Sequence, residues 1–164
     1  MIKARPGQPI FNLLRFYLTL LKVNGCKSVD LAAVCVYHNR AISIGIQLIY
    51  RLTVEDERTE DRVSGVYGGL ADDRKSQITL EEGEYATGLL VHRRGIPADT
   101  LVKGITLVTN RRTVRIGGGA GEADELINNP PHTKIIAFGG TLGNPTPFVR
   151  KGGIQDIGFY LKPL

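Results

Sequence analysis

The sequence contains no tryptophan, one methionine and only 7% aromatic residues in 164. No aromatic-rich strand of the kind that stacks bases is present, which argues against a single-strand nucleic-acid module. Cysteine is scarce too: Cys26 and Cys35 form no CxxC pair, and no metal-ligand cluster surrounds either. They pair across a hairpin only if the chain is secreted; otherwise they are free thiols, with Cys35 packed in a strand. No N-x-S/T sequon occurs, so glycosylation gives no sign of compartment. Localisation is left open between cytoplasmic and secreted. No apolar run is long enough to span a membrane. The most apolar window, Phe11 to Val23 (FNLLRFYLTLLKV), follows Lys3 and Arg5. Arg15 interrupts it and no clean cleavage site follows, so it reads as a buried first strand rather than a signal peptide.

Catalytic signatures are also missing. His38, His92 and His132 are isolated, no GxSxG elbow occurs, and Gly117-Gly118-Gly119 lacks the Lys-Ser/Thr of a phosphate loop. Glu81 and Glu82 sit on an apparent turn, where a wet turn explains them better than acid–base work. The acidic cluster Glu55, Asp56, Glu57, Glu60 and Asp61 lacks calcium-loop spacing and reads as solvated loop. The sequence thus predicts no enzyme, no metal and no cofactor. The net charge is +5, from 21 Lys and Arg against 16 Asp and Glu, with no concentrated basic run. Arg93, Arg94, Arg111, Arg112, Arg115, Arg150 and Lys151 are the residues from which a basic patch would have to be built. Nucleic acid is not an expected partner.

What is abundant is glycine, at 20 residues, with 8 prolines, scattered between short apolar runs. A chain this long suits one domain and can bury about 70% of its unfolded surface. Ala41 to Tyr50 (AISIGIQLIY) puts Ile42, Ile44, Ile46, Leu48 and Tyr50 on one face, the period of two of a half-buried strand. Ala33 to Tyr37 reads as its hairpin partner. Thr53 to Lys75 is polar and charged and reads as loop, with a short strand at Val63 to Tyr67. Further strands are expected at Ser76–Leu80, Glu84–His92, Thr100–Thr109, Arg112–Ile116, Lys134–Phe138 and Ile154–Leu161, with turns at Glu81–Gly83 and Gly117–Gly121. No amphipathic helix stands out. The pattern predicts an all-β sandwich, barrel or prism.

Three segments, in order, resemble the jacalin-related lectin family. Asn39 to Tyr50 resembles a family strand ahead of a Gly-rich stretch, here Val66-Tyr67-Gly68-Gly69. Ile78 to Arg112 carries a Leu-x-x-Gly-Glu-Tyr-x-x-Gly core and a later Thr-Asn-x-Arg. Lys134 to Gly143 and Ile157 to Pro163 (IGFYLKP) resemble the last two strands. The resemblance covers most of residues 39–163 and implies a β-prism of three four-stranded Greek-key sheets in one domain over 1–164. It also implies carbohydrate binding without catalysis, with the sugar among loops at one end of the prism.

In the family one Asp of a Gly-x-x-x-Asp loop, with backbone N–H groups, bonds the sugar hydroxyls. The candidates here are Gly152, Gly153, Ile154, Gln155 and Asp156, with Arg93 and Arg94 from the His92–Asp99 loop (HRRGIPAD). That loop contributes to sugar selectivity in the family, and its cations would suit an acidic or sulfated glycan. The chain departs from the pattern in two ways. Twelve residues separate Gly143 from Asp156, where the family has three, and Asp156 lies one place rather than two before Ile157. One place flips a side chain to the other face of a strand. Either a one-residue bulge brings Asp156 into position, or Gln155 takes its role, or the site is lost. The implied partners are glycans of mannose or galactose type, and a homo-oligomer is allowed. The alternatives are a jacalin-like scaffold without sugar binding, used for protein interaction or oligomerisation, or a binder of polyanions through basic loops. Gly7-Gln8-Pro9 is the only match to the family's N-terminal Gly-rich loop.

Overall fold

The computed structural model describes residues 10–39, 42–68, 74–94, 101–117, 123–143 and 153–164. Strand β1 (Ile10–Asn12) leads into a helix α1 (Leu14–Leu21). The strands β2 (Cys26–His38), β3 (Ser43–Val54), β4 (Thr59–Val63), β5 (Tyr67–Gly68) and β6 (Lys75–Thr79) follow. Then come β7 (Ala86–Arg94), β8 (Leu101–Thr109), β9 (Thr113–Gly117), β10 (Ala123–Asn128), β11 (Thr133–Leu142) and β12 (Ile154–Pro163). The pairings among them are antiparallel and form three sheets: β1-β11-β12, β10-β7-β8-β9 and β4-β3-β2-β6, the last also carrying β5 on β3. Each sheet touches the other two across one apolar core. The described strands divide three, four and five among the sheets, where the family resemblance implied four in each.

The period of two in β3 is realised. Ile42, Ile46, Leu48, Tyr50 and Leu52 are all buried, while Gln47 and Ile49 are only partly so. Tyr50 is the centre of the core. Burial pushes its hydroxyl pKa far above the ordinary phenol value. The hydroxyl donates to the carbonyl of Ile136 at 2.5 Å. Ile136 is the extra residue of a bulge in β11, between the pairs Ile135–Leu161 and Ala137–Tyr160. The bulge takes this carbonyl out of the regular ladder, so it can satisfy a buried donor from another sheet.

The window Phe11 to Val23 is not a buried strand: only its first residues extend, and α1 follows. Leu13, Tyr17 and Leu20 are buried, a spacing of four and three, whereas Leu18 and Leu21 are exposed. Asn12 Oδ1 accepts the Leu14 N–H at 2.9 Å and starts the turn. Phe16 and Tyr17 lay their rings on Tyr50, with centroids 5.9 and 5.7 Å away. The apolar side chains form a broad arc that leaves only Arg15, Thr19 and Lys22 on the opposite side, so the segment is easily taken for a uniformly apolar run. In the Thr53–Lys75 segment the expected strand at Val63–Tyr67 is not formed: residues 64–66 are outside any strand, and β4 and β5 lie to either side of them. β3 runs to Val54, and β4 pairs residues 59–63 with it. The charge of β4 is what an edge strand carries, since its side chains meet water. Cys26 and Cys35 are free. Both lie in β2, nine residues apart, or about 30 Å of extended chain, so they cannot bridge.

Tyr50→Phe tests the link between sheets. It is expected to leave the Ile136 carbonyl buried without a donor and to cost about 1–3 kcal/mol in urea unfolding, with the native fold retained.

Candidate functional site

β12 enters its sheet through a register shift. Leu142 pairs with Ile154 and Thr141 with Asp156, so Gln155 is an extra residue. The bulge lets Ile154 and Ile157, three places apart, both point into the core, at 1% and 6% exposure. Asp156, between them in the ladder, therefore faces outward. Its side chain is 51% exposed. A guanidinium from the neighbouring sheet reaches it: Arg93 Nη2 donates to Asp156 Oδ1 at 2.8 Å, and Nη1 to the Gln155 carbonyl at 2.7 Å. No hydrogen bond or ion pair from a described residue is made to Asp156 Oδ2.

The backbone beside Asp156 is tightly fitted. The Gly143 N–H donates to the Gly153 carbonyl at 2.7 Å, closing the mouth of residues 144–152. A Cβ on Gly153 would lie 2.7 Å from Ile42 Cδ1 and 3.3 Å from the Ser43 carbonyl oxygen, so a larger residue would push the buried Ile42 side chain aside at the β2–β3 end. Ser43 Oγ in turn donates to the Lys103 carbonyl, at a register shift in β8. The described strand ends flanking residues 95–100, 118–122 and 144–152 all lie at this end of the molecule.

Of the residues singled out from sequence, Gly153, Ile154, Gln155, Asp156 and Arg93 therefore come together here. Gly152 lies outside the described residues, as do Gly7-Gln8-Pro9, residues 118–121 of the expected Gly117–Gly121 turn and the 144–152 part of the insertion. Arg94 is the last residue of β7, and its side chain lies outside them too. The His92–Asp99 segment is not loop from its start, because β7 continues through Arg94. His92 is 1% exposed and bonds Thr106 Oγ1 at 2.6 Å, so its ring is buried rather than presented to solvent. The contact that sequence reasoning missed is Arg93 to Asp156, 63 positions apart, for which no local signal exists.

The Gly-Glu-Tyr and Thr-Asn-x-Arg blocks meet at the opposite end. The Glu84 side chain has no solvent exposure. Its carboxylate accepts from Arg112 Nε at 2.9 Å, Arg112 Nη2 at 3.1 Å, Thr109 Oγ1 at 2.7 Å and the Glu81 N–H at 3.0 Å. Asn110 completes the clasp by accepting from the Tyr85 N–H and donating to the Gly83 carbonyl. Gly83 has a φ of +77°, which this tight turn requires. The Arg112 hydrogen bonds above all hold the Glu84 carboxyl well below its ordinary value of 4.5, at about 2, against the opposing effect of burial. A cleft of about 650 Å³ opens beside this clasp, with Asp30, Arg51, Glu57, Glu81 and Lys134 on its walls. It is at the far end of the prism from Asp156.

Among the described residues Arg93, Arg111 and Arg112 do not gather into one basic patch. Arg93, Arg111 and Arg112 are bonded to Asp156, Glu81 and Glu84, at opposite ends of the β7–β8 pair. Arg150 and Lys151 lie outside the described residues. In the acidic segment, Glu57, Asp56 and Glu60 pair with Lys27, Arg58 and Arg62. Among the described residues no group of His, Cys, Asp and Glu is arranged to hold a metal ion, and no helix is long and apolar enough to cross a membrane.

A family model described as "Jacalin-like lectin domain" matches residues 22–160. No curated protein matches the chain. Solved structures do. A mannose-binding jacalin-related lectin from Ananas comosus is 24% identical, with 82% of this chain and 83% of that one covered and a TM-score of 0.60. Malaysian banana lectin is 23% identical over 96% and 92%, with a TM-score of 0.62. A galactose-binding lectin from Champedak is 14% identical over 95% and 99%, with a TM-score of 0.64. The shared architecture is the β-prism.

The clasp generates a pH dependence with a definite sign. The unfolded chain takes up a proton on Glu84 near pH 4.5, and the folded chain only near 2. The stabilisation is thus fully present above about 4.5 and lost as pH falls towards 2. Thermal melts across that window should show Glu84→Gln losing part of the acid sensitivity. At pH 7, Arg112→Ala should lower the melting temperature, because it leaves the Glu84 carboxylate without its cation.

Proposed function

The chain belongs to the family of jacalin-like lectin domains, and from that membership we propose that it is a non-catalytic carbohydrate-binding protein. The proposed sugar site is the prism end formed by Gly153, Ile154, Gln155 and Asp156, with Arg93 behind them. One observation carries this reading: an outward-facing, half-exposed carboxylate with one oxygen held and the other without a partner among the described residues. A carboxylate oxygen accepts hydroxyl protons through charge-assisted bonds, and adjacent sugar hydroxyls present two of them at the right spacing. Gly153 packs its Cα face against Ile42 and Ser43, which seats the start of β12 beside Asp156. The bulge at Gln155 turns Asp156 outward in spite of its shifted place in the sequence. Relatives of the same fold include a mannose-binding and a galactose-binding lectin, which supports hexoses of those types as the ligand class.

A glycan array followed by calorimetry tests the proposal. Binding to neutral mannose- or galactose-terminated glycans is expected, unchanged by moderate salt. Asp156→Ala should weaken it at least about tenfold for each charge-assisted bond lost. Binding only to sulfated glycans, lost in moderate salt, would instead indicate a polyanion binder. No glycan binding at all would leave the prism as a scaffold for protein interaction.

A further inference from the structure

Arg93 is the less exposed partner of its ion pair: its side chain is 16% exposed against 51% for Asp156. It rises from β7 in one sheet and ends on β12 in another. One planar group makes both contacts there, Nη1 on the carbonyl of the bulged residue and Nη2 on the carboxylate that follows it. A guanidinium presents its donors in a fixed fork, so the two bonds set the distance and angle between the Gln155 carbonyl and the Asp156 carboxylate together. Its charge is compensated where it stands. A cation buried to this degree and committed to two acceptors is poorly placed to recruit a sulfate or a uronic acid from solvent.

We propose that Arg93 is a positioning residue for the carbohydrate site. It locks the Gln155 bulge and pins Asp156 through Oδ1, leaving Oδ2 for the ligand, and by neutralising its own charge it selects neutral sugar hydroxyls over anionic groups. This rests on the reading of Asp156 as a sugar contact, and it gives Arg93 a role other than direct contact with an acidic glycan. Without the fork, Asp156 is free to sample other rotamers and must be ordered when the sugar binds. Ordering one such side chain weakens binding about three- to tenfold.

A double-mutant cycle on the intact chain separates the possibilities. Methyl α-mannoside and methyl β-galactoside are titrated into wild type, Arg93→Gln, Arg93→Lys, Asp156→Asn and the Arg93→Gln/Asp156→Asn pair. Hydrogen exchange is followed at residues 154–158. Arg93→Gln is expected to lose about tenfold in affinity and to speed exchange at the bulge. Arg93→Lys should recover part of that loss, since an ammonium can hold Oδ1 but not both acceptors. In the Asp156→Asn background, Arg93→Gln should cost nothing further, because Arg93 acts through Asp156. Additive losses would overturn the proposal, as would unchanged exchange at 154–158. So would stronger binding of glucuronate than of the neutral sugars, lost in Arg93→Gln. Wild-type sugar binding indifferent to Asp156→Asn would sink the reading beneath it instead, and a wild type that binds no sugar would sink both.

Discussion

The Glu84 carboxylate is the anchor from which the site end of the molecule is measured. It is a charge with no exposed surface, and such a group is tolerated only when every lone pair is matched. Arg112, Thr109 and the Glu81 N–H supply the match, and they come from the two turns that flank β7 and β8. Satisfying Glu84 therefore fixes the Glu81–Tyr85 turn against the Asn110–Arg112 turn. It sets the register in which Ala86 opposes Thr109. From that end β7 runs as a ruler to Arg93, whose reach to β12 depends on where the strand begins.

Tyr50 does the corresponding work between sheets. Its hydroxyl is too deep to be left unpaired, and the bulge at Ile136 offers the carbonyl that pairs it. The rings of Phe16 and Tyr17 then close over Tyr50, which is where the helix is seated. A short strand and a helix can thus stand at the N-terminal side of the first sheet without opening the core. The two bulges of the β11–β12 pair have different uses. The one at Ile136 turns a backbone acceptor inward, and the one at Gln155 turns a carboxylate outward.

Much of the fold was legible in the residues. The alternation of Ile42, Ile46, Leu48 and Tyr50 gave β3, because a period of two is a local property of a half-buried strand. The Gly-Glu-Tyr and Thr-Asn-x-Arg blocks gave the family. The structure joins the two blocks: Arg112 bonds the Glu84 carboxylate, and Asn110 bonds the backbone of Gly83 and Tyr85 on either side of it. Two segments were misread for physical reasons. The apolar window at 11–23 has few polar residues, so a helical and an extended reading both bury something. Only the fit of Leu13, Tyr17 and Leu20 onto the core decides between them. The charge of residues 59–63 reports solvent on an edge strand, which composition alone cannot tell from a loop.

The candidate site divides in the same way. Its residues could be named from the sequence: glycine, a carboxylate near the start of the last strand, and arginines two-fifths of a chain earlier. Their arrangement could not. Whether Asp156 faces outward depends on one extra residue in the pairing of β12 with β11, and a single residue reverses a strand's faces. Whether Arg93 is a free cation or half of a fixed pair depends on a contact between sheets 63 positions apart. The sequence by itself determined most of the strands, the Glu81–Gly83 turn and the family, since those follow from local periodicity and short-range bonding. Tertiary packing alone decided the helix, the direction of Asp156 and the partner of Arg93, because parity at a bulge and reach between sheets are settled only when the core closes.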